Sequence, residues 1–293
     1  MRYRVRHVTC FRYGAPVAFA RCNLRLRPID WPGQTMHDHR LSVAPAGRLA
    51  PAPAQAGLAN VTRMVVDSPV TELTIESVAD VAVDRLVPVP DAADPTLSEI
   101  AAWARTSTDP TPSGPAHYLY PSAHIPLDPA IAAWCAAELA PERGALDAGI
   151  ALARRIQAEL EFDPTATLVD TPPAQAFAQR RGVCQDFAQI MISGLRAAGL
   201  PAAYASGYIR TLPPPGEARL VGADATHAWV LLWCGPDRGW VGVDPTNGIW
   251  MASDHIIMAV GRDYPDIAPV DGVVLGSGAQ EMSVSVDVEP VGP

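Results

Sequence analysis

The strongest pattern of apolar and polar positions in the chain lies between residues 180 and 201. Apolar residues recur there at spacings of three and four, as on one buried face of a helix, at Phe187, Ile190, Met191, Gly194, Leu195 and Ala198. Gly199 followed by Pro201 is the expected end of such a helix, because glycine favours the C′ position and proline cannot continue the helix. The pattern predicts a buried helix that has Cys184 in or beside its first turn.

Residues 1–90 alternate apolar and polar positions in short runs, which predicts β-strands. The runs that predict strands are residues 2–7, 24–27, 61–66 and 72–78. Turn signals divide these runs at Tyr13-Gly14, at Trp31-Pro32-Gly33 and across residues 45–57. An antiparallel β-sandwich is the expected result.

The rest of the chain mixes helices and strands, so the expected fold class is α+β. Helices are predicted at residues 97–105, 128–139, 148–160 and 172–180, and strands at residues 203–209, 228–233, 240–243, 254–260 and 282–288. The run Val87-Pro88-Val89-Pro90 marks the expected end of an N-terminal β-rich domain, residues 1–90. A helical and proline-rich connecting segment, residues 91–145, then leads into a core formed by residues 146–293.

Cys184 is a candidate nucleophile because of its place at a helix start. Unpaired N–H groups and the positive end of the helix dipole favour a thiolate there. Position alone is weak support, since most free cysteines serve as small buried hydrophobes. Further along, His227 opens an apolar, strand-like run, and Asp244 ends a short strand just before a turn. A thiolate, an imidazole base and a group that orients the imidazole are the three parts that nucleophilic catalysis requires.

The runs GVCQDFA, THAWV and VDPTNG resemble the transglutaminase-like cysteine enzymes, and the resemblance is strongest for bacterial members with an extra N-terminal β-rich region. It extends to RYRVRHVTCFRY, NLRLRP, YLYPS, SGYIRT, DHIIMAVGRDY and the SVSVDVEP tail, and so covers nearly the whole chain. The resemblance implies a papain-like transglutaminase core, in which the cysteine-bearing helix packs on an antiparallel sheet. It assigns Cys184 as nucleophile, His227 as general base and acid, and Asp244 as the residue that orients His227.

The expected activity is attack on an amide or peptide carbonyl, with a thioester on Cys184 as intermediate. Backbone N–H groups at the helix start are the expected oxyanion donors, with Gln185 and Trp229 as nearby side-chain candidates. The partner implied is a peptide or protein amide substrate, and hydrolysis is preferred over transamidation because no acceptor-amine site is readable. A papain-like fold kept as a non-catalytic binding module is the alternative from another class.

Composition narrows the classes of partner. With 22 Lys+Arg against 31 Asp+Glu, the formal net charge is −9, which argues against nucleic acid or an anionic membrane, because both attract basic surfaces. All of the cationic side chains are arginine, so no side chain of this protein can serve as a primary amine acceptor. The hydrophobic fraction of 48% is that of a globular protein.

Neither a disulfide framework nor a cofactor site is indicated. The five cysteines are an odd number without C-x-x-C spacing, which disfavours both disulfides and a zinc site. No G-x-x-x-x-G-K, G-x-G-x-x-G or EF-hand pattern occurs, so no nucleotide or calcium cofactor is expected. The N-terminus lacks the apolar segment of a signal peptide, and no apolar run approaches the ~18 residues of a membrane span. A cytoplasmic location is therefore expected.

Histidines outside these motifs have weaker support as metal ligands or as the catalytic base. His37 and His39 share a face if residues 36–43 form a strand, but a metal pair lacks an evident third ligand, so a solvated strand face is preferred. His255 follows an aspartate and could be mistaken for the base. The resemblance gives that role to His227, so His255 is expected to be structural or to support the site from behind.

Two loops are candidates for the walls of a substrate cleft. Tyr118, Tyr120 and His124 lie in a proline-rich segment, where packing of the loop onto the core is preferred over a role in a substrate groove. Residues 213–216, Pro-Pro-Pro-Gly, are expected to form an exposed loop at the rim of the cleft.

Overall fold

The computed structural model of the chain describes residues 1–91, 93–211 and 225–292. The strands in these ranges are β1 (Arg2–Val17), β2 (Phe19–Arg27), β3 (Gln34–Ala44), β4 (Arg48–Ala52), β5 (Leu58–Val66), β6 (Val70–Val83), β7 (Glu161–Phe162), β8 (Arg181–Gly182), β9 (Ala202–Ile209), β10 (Ala225–Trp233), β11 (Trp240–Asp244), β12 (Ile249–Trp250), β13 (His255–Gly261), β14 (Val270–Leu275) and β15 (Gln280–Val291). The helices are α1 (Leu97–Thr106), α2 (Pro129–Cys135), α3 (Ala145–Glu159), α4 (Pro173–Gln179), α5 (Cys184–Ala197) and α6 (Tyr264–Ile267), with a short 3-10 helix at Pro115–Tyr118. None of these described helices combines the length and apolar character needed to cross a membrane.

β1 shows the predicted alternation directly. Tyr3, Val5 and His7 are buried, while the arginines between them face solvent. Arg4, for example, pairs with Asp80 on the neighbouring β6, with Nε and Oδ1 3.0 Å apart. One face of the sheet is therefore solvated and the other builds a core, as antiparallel sheets allow.

Among the described residues the strands form two large sheets, besides the short β7–β8 pair. One sheet has the order β15-β1-β6-β3, and the other follows the path β12-β11-β10-β9-β13-β5-β2-β14, with β4 paired to β5. Phe11 and Ile75 from the first sheet share a buried cluster with Leu24 and Met64 from the second. The N-terminal region is therefore β-rich and two-layered, and the class is α+β with mostly antiparallel sheets.

Strands from the two ends of the chain pair with each other. β15 pairs antiparallel with β1, beginning with Arg2 opposite Val291, and β14 pairs with β2. In the same sheet β5 pairs with β13. The division into residues 1–90, 91–145 and 146–293 stays a prediction, but the last two strands complete sheets that the N-terminal region begins.

The predicted buried helix is α5, and its bounds agree with the prediction. It begins at Cys184, and Gly199 just beyond its end has a φ of +77°, the left-handed conformation that terminates helices. Its side chains are buried from residue 186 to residue 196. Gly194 lets α2 approach closely, because a Cβ at this position would overlap the Sγ of Cys135.

The bounds of several predicted elements differ in the structure. The turn predicted at Tyr13-Gly14 is wrong, because both residues lie within β1. Residues 45–57, predicted as turns, contain β4, whose side chains are almost all exposed and which pairs with β5 through its backbone. An exposed strand leaves no period-two apolar signal, so the alternation could not reveal it. The helix predicted at residues 128–139 ends at Cys135.

The predicted shared face of His37 and His39 is wrong. β3 is a strand, but a bulge between Met36 and Asp38 inserts one extra residue, which interrupts the alternation of side chains. His37 is exposed, whereas His39 is half-buried with its Nε2 3.0 Å from the Oγ of Ser77.

Candidate active site

Cys184 occupies the first position of α5 and is half-buried. The first N–H groups of a helix have no partner inside the helix, and the helix dipole is positive there. Asp186 fixes this helix start by accepting the N–H of Val183, with N and Oδ2 2.8 Å apart. Gly182 permits the contact, because a Cβ at that position would lie 2.6 Å from Asp186 Oδ2.

The two side chains proposed as oxyanion donors are engaged elsewhere. Gln185 Nε2 donates to the carbonyl oxygen of Val169 at 2.8 Å. Trp229 is fully buried, and its single N–H points at the Sδ of Met251, 3.2 Å away. The backbone N–H groups at the start of α5 are therefore the better candidates for oxyanion stabilisation.

His227 and Asp244 lie on the neighbouring strands β10 and β11 and share a hydrogen bond, with Nε2 and Oδ2 2.8 Å apart. Both side chains are buried, Asp244 completely. His227 also forms a hydrogen bond with Cys184. Because Nε2 faces Asp244, Nδ1 is the ring nitrogen left for the thiol. The fold thus brings together the three residues selected from the sequence.

Opposing effects act on the pKa values of the two buried groups. Burial lowers the pKa of His227, but hydrogen bonds and charge interactions with Asp244 and Cys184 outweigh it, so the pKa lies above its ordinary value. Burial raises the pKa of Asp244, but the hydrogen bonds from His227 and His255 outweigh it, so the pKa lies below its ordinary value. The site therefore favours an imidazolium at His227 beside an ionised Asp244.

The Asp244 carboxylate accepts hydrogen bonds on both oxygens. Oδ2 accepts from His227, from His255 at 3.2 Å and from the side-chain amide of Asn247 at 2.7 Å. Oδ1 accepts the backbone N–H groups of Thr246 and Asn247 at 2.9 and 3.2 Å. A buried carboxylate requires such donors, because burial without them is costly. Sequence reasoning missed Asn247, although its place in the VDPTNG turn was a usable signal.

His255 begins β13 and stands behind the carboxylate. It is almost fully buried, and its ring meets the ring of Trp229 edge to face, with centroids 5.2 Å apart. His255 and His227 both direct Nε2 at the same oxygen of Asp244. Of the two imidazoles, His227 is the one that interacts with Cys184, in agreement with its selection as the candidate base.

His227, Asp244 and His255 also place three potential metal-ligand atoms within 4.8 Å of one another. Two imidazoles and a carboxylate are a donor set that zinc uses. A metal-bound histidine donates its other ring N–H to an acceptor, whereas His255 Nδ1 accepts the N–H of Ala252 at 3.3 Å. The proton of His255 therefore sits on Nε2, the atom that a metal would need. The cluster fits a hydrogen-bond network better than a metal site.

Two tyrosines that the sequence analysis did not select as site residues lie in or against the core cluster that Cys184 packs on. Tyr204 of β9 and Tyr264 of α6 meet edge to face with ring centroids 6.4 Å apart, and Tyr264 and Cys184 pack against the same core cluster. Burial, and then the nearby charge of Cys184, hold the pKa of Tyr204 well above its ordinary value. Tyr204 therefore keeps its hydroxyl proton.

Tyr118, Tyr120 and His124, the loop residues considered for a substrate groove, lie in different surroundings in the structure. Tyr118 is buried and its hydroxyl donates to the carbonyl oxygen of Pro112, so for Tyr118 the packing prediction is confirmed. Tyr120 lines a cavity of about 580 Å³, and His124 lines another of about 660 Å³. Residues 213–216 lie outside the described part of the chain.

These two cavities adjoin each other, since Gln55, Ala56 and Arg262 line both. The larger is lined by Val169 and Tyr264 on the side of the core and by Gln55 from the connection between β4 and β5. The smaller cavity is lined by Gln55 and Arg262 as well. The N-terminal region therefore contributes a wall to both cavities, although none of Cys184, His227 and Asp244 lines either of them.

Comparison with known proteins gives a consistent family assignment. The family description "Bacterial transglutaminase-like N-terminal region" matches residues 3–82, and "Transglutaminase-like superfamily" matches residues 134–245. The Mycobacterium tuberculosis protein Rv2569c is 32% identical over 300 residues, which cover 99% of this chain and 93% of that protein. A protein-glutamine gamma-glutamyltransferase of Pseudomonas aeruginosa is 43% identical over 84 residues, 28% of this chain and 12% of that protein. In fold, the crystal structure of a candidate cysteine protease from Cytophaga hutchinsonii has a TM-score of 0.72 at 19% identity, covering 100% of this chain and 92% of that one.

Proposed function

Because the chain belongs to the transglutaminase-like superfamily, we propose that it is a cysteine-dependent acyl-transfer enzyme that cleaves an amide or peptide bond through a thioester on Cys184. The observation that carries the proposal is the imidazole of His227, which forms hydrogen bonds with both Cys184 and Asp244. A half-buried thiol at a helix start supplies the nucleophile.

The reaction follows from these three positions. The Cys184 thiolate attacks the carbonyl carbon, and the developing oxyanion is stabilised by the N–H groups at the start of α5. His227 gives its Nδ1 proton to the departing amine as the C–N bond breaks, which leaves the acyl group on sulfur. Asp244 holds the imidazole in orientation and balances its charge. Water, activated by His227, then releases the acid and restores the thiol.

Hydrolysis is our first proposal for the fate of the thioester, and transamidation is the second. The second is supported by the segment that resembles a Pseudomonas aeruginosa protein-glutamine gamma-glutamyltransferase. Ammonia release from a glutamine peptide, measured with and without an added primary amine, separates the two. Incorporation of the amine into the peptide would exclude a pure hydrolase, and Cys184→Ala should abolish both reactions.

The pH dependence of alkylation tests the nucleophile itself. Cys184 should react with iodoacetamide near pH 5, and His227→Ala should lose this reactivity, as read by peptide mass. Cys10, the other half-buried cysteine, serves as an internal comparison thiol in the same molecule. Reaction of Cys184 only above about pH 8, like an ordinary thiol, would favour a non-catalytic binding module.

A cytoplasmic location remains a proposal that cell fractionation can test.

A further inference from the structure

We propose that His255 is a positioning residue of this site, an inference that rests on the proposed function. Its Nε2–H holds the Asp244 carboxylate in the orientation that aligns His227 with Cys184. His255 is almost fully buried, and its ring nitrogens are bonded to Asp244 and to the backbone of Ala252, so its effect would pass through Asp244.

The hydrogen bonds of His255 determine which ring nitrogen carries the proton. Its Nδ1 accepts the N–H of Ala252 at 3.3 Å, and its own backbone N–H donates to the carbonyl oxygen of Ala252 at 3.1 Å. A proton on Nδ1 would point directly at the Ala252 N–H group. The turn before β13 therefore fixes the tautomer with the proton on Nε2, and that proton faces Asp244 Oδ2.

A comparison of the hydrogen-bond donors to the Asp244 carboxylate shows how the bond from His255 differs from the others. Oδ1 is held by two backbone N–H groups of its own turn, whereas Oδ2 is held by side chains alone, from His227, His255 and Asn247. Asn247 belongs to the same turn as the carboxylate. His255 is therefore the one donor, among the described residues, that ties Oδ2 to a different strand of the sheet without taking part in proton transfer.

Packing keeps this arrangement rigid. The ring of Trp229 lies against both imidazoles, with its centroid 5.2 Å from that of His255 and 6.0 Å from that of His227. All three rings are largely withdrawn from solvent. A donor lost from this environment cannot be replaced by bulk water, so Asp244 would lose the hydrogen bond from β13 that holds Oδ2 toward His227.

The test compares two substitutions of similar size that differ in their hydrogen bonding. His255→Gln keeps a side-chain N–H at a similar reach, and His255→Leu removes it. We expect His255→Leu to slow the alkylation of Cys184 at pH 6 at least tenfold, and His255→Gln to stay within about threefold of the wild type. His39→Gln, a half-buried histidine in the N-terminal sheet, is the matched control and should leave the rate unchanged. Equal rates in the Leu variant and the wild type, or equal losses in the Gln and Leu variants, would overturn the proposal.

A second measurement does not depend on activity. Nitrogen-15 NMR of histidine-labelled wild type should show His255 protonated on Nε2 and unprotonated on Nδ1 at pH 7. The reverse tautomer would overturn the proposal even in an active enzyme. If Cys184 in the wild type reacted like an ordinary thiol while His255 showed the expected tautomer, the proposed function would fail but the contact with Asp244 would stand.

Discussion

Burial of His7 predicts that the protein loses stability as the pH falls. His7 lies on β1, where its ring is bonded to Thr9 Oγ1 and to the hydroxyl of Tyr208 on β9, both at 2.8 Å. Burial lowers the pKa of His7 from 6.5 to about 4. The unfolded chain therefore binds this proton more tightly than the folded chain, and acid favours unfolding.

The size of the effect follows from the difference between the two pKa values. Above pH 6.5 the His7 ring is neutral in both states, so its contribution to the free energy of unfolding is complete. Between pH 6.5 and 4 that contribution falls by about 1.4 kcal/mol per pH unit, which amounts to roughly 2–3 kcal/mol at pH 4.5. The loss stops growing below the folded-state pKa of about 4.

Urea unfolding at pH 7.5 and pH 4.5, followed by tryptophan fluorescence, measures this loss. His7→Gln keeps polar atoms for Thr9 and Tyr208 but does not titrate, so the wild type should lose roughly 2–3 kcal/mol more than the variant between the two pH values. His37→Gln alters an exposed histidine on the same sheet and should behave like the wild type. Equal losses in the wild type and His7→Gln would refute the reasoning.

Three further outcomes are expected. Asp244→Asn should slow the alkylation of Cys184 at pH 6 at least tenfold, because a neutral amide cannot balance the charge of an imidazolium. Asp254→Asn serves as the control and should not slow it. Equal alkylation rates in the two variants would contradict the role of Asp244. Gly194→Ala should lower the free energy of unfolding by roughly 1–3 kcal/mol, because its methyl group would collide with Cys135, and an unchanged urea midpoint would show that α2 can shift. Incubation with a glutamine-rich acyl-donor protein that lacks lysine should give no cross-linked ladder on a gel, since this chain offers no side-chain amine as acceptor.

Local patterns were enough to predict α5 and the places of the three candidate residues. The helix has a clear apolar period and a glycine-proline end, and Cys184 follows from where that period starts. His227 and Asp244 were placed on strands because apolar runs surround them, and they lie on adjacent strands. A helix start and two successive strands can be read from sequence because each depends on neighbours in the chain.

Long-range pairing could not be read in the same way. The contact of His255 with Asp244 depends on two registers, His255 opposite Ile209 and His227 opposite Gly207, which set β13 and β10 on either side of β9. No local pattern encodes these registers, since a strand's alternation defines its faces but not its partner. The same limit hid the pairing of β15 with β1 and of β5 with β13.

The N-terminal region is part of what holds the candidate site in place. Gln34, a buried residue of β3, donates from Nε2 to the carbonyl oxygen of Ile257 and accepts the N–H of Ile257 on Oε1, both at 2.8 Å. Ile257 lies on β13 just before an irregularity in its pairing with β9. The Gln34 amide thus takes the place of a neighbouring strand and satisfies backbone groups that would otherwise be buried without partners. Because His255 lies two residues earlier on the same strand, the N-terminal sheet supports the strand that carries the proposed positioning residue.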